Sequence, residues 1–348
     1  MEVFQGIRAL IVFAITFIVA LGVTPFVYHL LLKFGLKKRN IRSEETAPVF
    51  YAHHKHKSET PTMGGVIIWG TVLTLALIFF VAHFFLDGFA SYLNFVNRAE
   101  TYVPLAALAF GALVGLLDDF LGIRGIGPKG GGIHVRHKLI LYTLVSLVGA
   151  WWFHVRLGWS EVYVPFFGLW DIGGWYPLFF VFIIVATAFS ANETDGLDGL
   201  SGGVLFFSFA AMAVVAFVMH KFDLVLMNAA ILGGLLAFLW YNVHPAKFFM
   251  GDTGSMGLGI TLGVMAMFTN TALFLPFFGF ILLIESGSVI IQLAHKKILK
   301  RKLFLSTPIH HHFEGLGWPE TQVTMRFWII SGVTTILGLI IFFMARFI

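Results

Sequence analysis

The sequence predicts an all-α polytopic membrane protein of about ten transmembrane helices. Two facts of composition carry this. Of 348 residues, 58% are hydrophobic and only 12% are charged, about half the charged share of a soluble domain. No soluble core of this size hides so much apolar side chain, whereas a membrane-spanning helix uses ~20 residues. The third observation is pattern: the apolar residues come in long runs, not in the short alternating strands of an outer-membrane barrel. Soluble enzymes and disordered chains are thereby excluded. Cysteine is absent, which removes disulfides, thiolate catalysis and cysteine metal sites. Residues 1–348 read as a single integral membrane domain.

Taken in order, the apolar runs place spans near 7–32, 64–85, 102–117, 139–153, 177–191, 204–219, 224–241, 257–269, 273–294 and 327–345. The first is too long for a signal-peptide core and lacks a small-residue cleavage site, so it is expected to stay as a span. Several runs fall short of a full crossing. That implies local thinning, or helices that end inside the protein around a buried site.

Loops after the odd-numbered spans carry 18 of the 23 Lys and Arg residues; the opposite side holds Arg8, Arg98, Arg156, Lys221 and Arg346. The positive-inside rule then makes the odd loops cytoplasmic and both termini external. The net charge of +5 is thus a collar for anionic membrane lipids and no sign of nucleic acid. Nearly every unusual polar cluster lies on that cytoplasmic side. No internal repeat suggests the two halves of a transporter.

Asp118 and Asp119 close span 3 in LVGLLDDFLG. Adjacent carboxylates at a membrane boundary repel each other and resist desolvation, so they need a cation nearby. Mere solvation explains them poorly, because a helix C-terminus disfavours negative charge. Next comes NETDGLDGLSGG, residues 192–203, with three acids, four glycines and no basic residue. One helical turn would put Asp195 and Asp198 on a common face, and the glycines permit close backbone approach. A flexible turn with capping aspartates is the competing reading.

The third cluster is NVHPAKFFMGDTGS, residues 242–255. Its Gly, Ser and Thr content resembles an anion-binding turn at a helix N-terminus, although its order is not that of a Walker A loop. Phe249 is either a membrane-interface anchor or a platform for a base. In PIHHHFE, residues 308–314, His310, His311 and His312 cannot all face one metal, since each helical residue turns by ~100°. Phosphate hydrogen bonding suits them better than zinc. The basic loop from Lys33 to Thr62 ends in KSETPTMGG. Most of its cations serve topology, but Lys57 stands beside a rigid, closely approachable entry to span 2. Glu285, inside span 9, is either a functional acid or a protonated structural one.

Carboxylates without cysteine suit a hard cation such as Mg²⁺, and lysines, histidines and glycine turns suit phosphate. The residues therefore point to phosphoryl transfer between a nucleotide-like donor and a membrane-embedded acceptor. An ion-coupled transporter is the rival from another class; it would carry its acids in mid-span.

PTMGG, LLDDF, NETDGLDGL, FFMGDTGS and PIHHHFE, in this order, resemble the phospho-N-acetylmuramoyl-pentapeptide transferase family. The resemblance runs from Lys33 to the last span. The wider polyprenyl-phosphate N-acetylhexosamine-1-phosphate transferases, including N-acetylglucosamine-1-phosphate enzymes, are the runner-up. The resemblance implies that undecaprenyl phosphate attacks UDP-N-acetylmuramoyl-pentapeptide, giving lipid I and UMP at the inner face of the cytoplasmic membrane, with Mg²⁺ required. By the same resemblance, Asp252 is the Mg²⁺ ligand, and Asp118 and Asp119 stand at the lipid-phosphate and pyrophosphate end. Lys57, Asn242, Asp198 and Phe249 belong to the uridine pocket, and the three histidines lie near sugar and phosphates. Thr62, Asn192 and Asp195 join the expected substrate contacts. A lipid groove beside a bent span 9 and a homodimer are also implied.

One position departs from the family. A lysine is usual three residues after the second aspartate, and here Gly122 stands there. The loop that follows, GIRGIGPKGGGIHVR, offers Arg124 or Lys129 as the replacement phosphate contact.

Overall fold

The computed structural model describes residues 2–37, 57, 59–86, 88–127 and 131–347. Lys129 lies outside these residues. Each expected span coincides with a helix, as it must where lipid offers the backbone no hydrogen bonds. They are α1 (Glu2–Lys33), α2 (Val66–Phe85), α3 (Ala99–Arg124), α4 (Val135–Trp151), α5 (Tyr176–Thr194), α6 (Leu200–Val218), α7 (Phe222–Asn242), α8 (Gly251–Phe268), α9 (Phe280–Leu299) and, after the short α10 (Ile309–Gly315), α11 (Glu320–Phe347). Between α4 and α5 a two-stranded antiparallel hairpin pairs β1 (Glu161–Val164) with β2 (Gly168–Asp171).

Among the described residues, eight helices are long and apolar enough to cross a membrane. A ninth is added if Ala272–Phe278 and Phe280–Leu299, bent by 91° at Gly279, form one broken span. The remaining expected span falls in α8, where every residue from Gly251 to Phe268 is buried within the protein. An apolar run reports only that a helix avoids water; here the helix is surrounded by other helices instead of lipid.

Small residues make that enclosure possible. A Cβ at Gly115 of α3 would come within 2.1 Å of the Asp252 carbonyl oxygen, and one at Gly65 within 2.3 Å of the Gly254 Cα. On the α5 side, Gly259 and Gly263 of α8 meet Thr187, Ala188 and Ala191. In a membrane, where apolar side chains gain little by leaving lipid, such backbone approach is what lets helices pack. The result fixes the start of α8, with Asp252, against the flank of α3 that carries Asp118 and Asp119.

Two local readings also change. α3 does not stop at residue 117 but continues to Arg124, ending on Gly125 in the left-handed conformation (φ 69°). The aspartates therefore project from a helix flank, because their carboxylates find partners on neighbouring helices. Asp195 and Asp198 do not share a helical turn. They lie in the break between α5 and α6, where Gly199 takes φ 75°.

Candidate active site

A cavity of about 400 Å³ is lined by Lys57, Thr62, Asp118, Asn192, Asp195, Phe249, Asp252, His310 and His311, together with Glu193, Gly122 and Lys138. Segments far apart in sequence thus converge, as the motifs led one to expect.

At one pole, Lys138 in the first turn of α4 places its Nζ 2.5 Å from Asp118 Oδ2 and 2.7 Å from Asp252 Oδ2. Asp252 Oδ1 accepts a hydrogen bond of 2.7 Å from the Asn192 carboxamide. Asp118 Oδ1 accepts from the Ile133 amide, which brings Gly131, Gly132 and Ile133 onto the site. Two facing buried carboxylates share one ammonium, and Glu193 and Asp195 line the same cavity. Oxygen donors with surplus negative charge fit a hard divalent cation such as Mg²⁺.

Asp119 takes a different task from its neighbour. Successive residues on a helix diverge by ~100°, so Asp118 faces the cavity while Asp119, 1% exposed, accepts from the Thr253 amide at 3.1 Å. Asp195 accepts from the Gly251 amide at 3.0 Å. Two aspartates therefore cap the N-terminus of α8, where negative charge complements the helix dipole. This corrects the reading of GDTGS as an anion-binding turn: the amides of Gly251 and Thr253 are taken by the protein's own carboxylates. Gly251 itself has φ 74°, and a Cβ there would lie 2.5 Å from Asp119 Oδ2.

The opposite pole is built on Lys57. Its Nζ lies 2.6 Å from Asp198 Oδ1, 2.5 Å from Glu320 Oε1 and 5.7 Å from the Phe249 ring centroid. Asp198 Oδ2 accepts from the Ala246 amide and lies 2.9 Å from His244 Nδ1. Burial pushes the Asp198 carboxyl up, but the Lys57 ammonium and these hydrogen bonds outweigh it and hold the group below its usual range. Asp198, His244 and Glu320 are close enough together to hold a metal ion. The Lys57 ammonium already bridges two of them, however, and supplies the positive charge.

The aromatic pair divides. Phe248 is buried against Tyr28, Phe238 and Tyr241, whereas Phe249 lines the cavity. Asn242 is not on the cavity wall: it accepts from the Gly199 amide and donates to the Phe248 carbonyl, tying together the loops that carry Asp198 and Phe249. The histidines divide as well. His310 and His311 are buried on the wall, with Nδ1 of each against a carboxylate, Glu285 at 2.9 Å and Glu314 at 2.7 Å. His312 turns away; its Nδ1 accepts from the Leu305 amide. The expectation that all three act together is corrected by the same ~100° rotation that ruled out a shared metal.

Arg124 does not replace the family lysine. It is exposed and stacks on Phe120, 5.2 Å from the ring centroid. Among the described residues, Lys138 is the cation that meets Asp118. Sequence reading had counted it among the topological charges. Its signal was spacing: Tyr142, Ser146 and Ala150 form the buried stripe of α4, and Lys138 continues it by one step of four. Glu320 was also missed, since an acid in the first turn of a helix is ordinary.

A polar cavity with this balance of charge, enclosed by apolar helices, fits a membrane-embedded phosphoglycosyl transferase, the class to which the related proteins belong. Residues 101–270 match the family profile of glycosyl transferase family 4. Residues 57–68 match phospho-N-acetylmuramoyl-pentapeptide-transferase signature 1. The chain is 38% identical to the phospho-N-acetylmuramoyl-pentapeptide-transferase of Desulforamulus reducens, covering 94% of this chain and 93% of that one. It is 35% identical to that of Chloroflexus aggregans, over 95% and 89%, and 36% identical to that of Desulforudis audaxviator, over 96% and 98%. The chain belongs to the phospho-N-acetylmuramoyl-pentapeptide transferase family.

Proposed function

We infer that the protein transfers phospho-N-acetylmuramoyl-pentapeptide from its UDP-linked donor to undecaprenyl phosphate, releasing UMP and forming lipid I, a membrane step of peptidoglycan synthesis. Family membership carries the reaction. The observation that carries the assignment of roles is the two-ended cavity, with an aromatic–lysine pole at Phe249 and Lys57 and a carboxylate–lysine pole at Asp118, Lys138 and Asp252.

In this reading, uracil stacks on Phe249 beside Lys57, and the diphosphate reaches toward Lys138 and the histidines. An oxygen of the lipid phosphate attacks the sugar-side phosphorus, and the bond to UMP breaks. A phosphate monoester is largely ionised at neutral pH, so Asp118 need not remove a proton; its burial beside Lys138 orders the charges around the nucleophile. Asp252, with Asp118 and Asn192 beside it, would hold Mg²⁺, which supplies neutralisation of the phosphate oxygens when bound. Lys138 then serves as the fixed cation of the same site and holds the two carboxylates at a defined separation.

The reading also places the protein in the cytoplasmic membrane with the cavity on the cytoplasmic side, supported by the 18 basic residues of the odd-numbered loops. A homodimer rests on family resemblance alone, and sedimentation in detergent tests it. Radiolabel transfer to undecaprenyl phosphate, with UDP-N-acetylmuramoyl-pentapeptide set against UDP-N-acetylglucosamine, tests the function. Label in lipid from the first donor is expected. Label from the second alone would move the protein to the N-acetylglucosamine-1-phosphate branch.

A further inference from the structure

Glu285 is 0% exposed within α9, and its Oε2 lies 2.9 Å from Nδ1 of His310. The His310 amide faces the same oxygen at 3.5 Å. Among the described residues, no hydrogen bond reaches Oε1. The other edge of the ring lies against Gly196, where a Cβ would meet Nε2 at 2.2 Å, and both residues line the cavity. His310 is thus held in the cavity wall between Glu285 behind it and Gly196, against which its buried Nε2 packs.

The charge of this pair can be argued from its surroundings. A buried carboxylate with one oxygen lacking a donor is costly. A buried imidazolium is costly too. The least expensive state is neutral as a pair, with one proton between Oε2 and Nδ1 and a second on the ring. A proton on Oε1 would face no acceptor among the described residues, so the shared proton lies between Oε2 and Nδ1, and on oxygen or nitrogen alike the ring's other proton is on Nε2. His311 has the same arrangement with Glu314, so both rings on this wall have Nδ1 tied to an acid.

We propose that Glu285 is a positioning residue that fixes the His310 proton on Nε2, so that the ring presents an N–H donor to the phosphate oxygens of the donor substrate. The identity of that substrate rests on the function proposed above; the protonation of the ring does not. A glutamine at 285 can also donate to Nδ1 and preserve the arrangement, whereas a leucine cannot.

The test uses full-length protein in nanodiscs, labelled with ¹⁵N-histidine, with His310→Gln to assign the ring. The expected spectrum has His310 protonated on Nε2 in the wild type and in Glu285→Gln. Turnover falls less than about 10-fold in Glu285→Gln and about 100-fold in Glu285→Leu, the range for loss of a partner behind a working histidine. His310 protonated on Nδ1 alone in the wild type overturns the proposal. So does a loss in folded Glu285→Gln as large as in Glu285→Leu. If the leucine variant does not fold, the wild-type and glutamine spectra decide. Wild-type protein that fails to form lipid product would overturn the functional reading while leaving the nitrogen spectrum to judge Glu285 separately.

Discussion

Nζ of Lys138 stands 2.7 Å from Oδ2 of Asp252, joining the first turns of two helices 114 residues apart in sequence. The same ammonium meets Asp118, so one lysine holds together the acids of three-helix contact α3–α4–α8. Removing its charge leaves two buried carboxylates facing each other. Lys138→Met is expected to lower turnover about 100-fold or more, the scale of losing a fixed charge-stabilising donor. Lys138→Arg should recover only part of this, because a planar guanidinium does not replace a compact ammonium between two oxygens. Steady-state kinetics of lipid formation check both variants.

Asp252→Asn keeps the shape of the side chain and removes its charge. The Asn192 carboxamide at 2.7 Å can reorient to meet the new amide, so the fold is expected to survive. Turnover at saturating Mg²⁺ should fall about 100-fold or more. Near-normal activity would dismiss Asp252 as the metal ligand; thermal unfolding in detergent confirms that the variant is folded.

Phe249→Ala should weaken the nucleotide donor by roughly 1–3 kcal/mol, the worth of a base stacked on an aromatic ring. The Michaelis constant for undecaprenyl phosphate is expected to stay unchanged. Calorimetric titration with UMP gives the binding loss directly. An effect confined to the lipid would contradict a base platform at this ring.

Asp119→Ala tests the division of labour between adjacent aspartates. Its carboxylate caps α8 through the Thr253 amide and does not line the cavity. Loss of such a cap costs about 0.5–2 kcal/mol, so the unfolding temperature is expected to fall. UMP affinity should be retained in the folded fraction. Weakened UMP binding without any loss of thermal stability would instead put Asp119 on the substrate.

Much of the fold could be read from the chain, since lipid and water separate side chains more sharply than any soluble core. What hydropathy could not distinguish was burial in lipid from burial in protein, and α8 fell on that boundary. Candidate site residues were legible where a charged or polar side chain was out of place, as with Asp118 at the end of an apolar run. Lys138 was hidden because its charge had an ordinary explanation in topology. Asp119 and His312 were misplaced because consecutive residues in a motif look equivalent in sequence, although a helix points them in different directions. Asn242 reads in sequence as a ligand contact, and in the fold its hydrogen bonds tie the loops that carry Asp198 and Phe249.

The glycine seams around α8 bear on how the enzyme responds to its bilayer. A membrane that thickens or thins acts on helices that touch lipid, by tilting them. α8 touches none along Gly251–Phe268, and its neighbours grip it through backbone at Gly65, Gly111 and Gly115. Acyl-chain length therefore reaches Asp252 through movement of the helices around α8, because at Gly65 and Gly115 the seam is backbone against backbone. Asp252 is thereby insulated from the elasticity of the membrane around the protein.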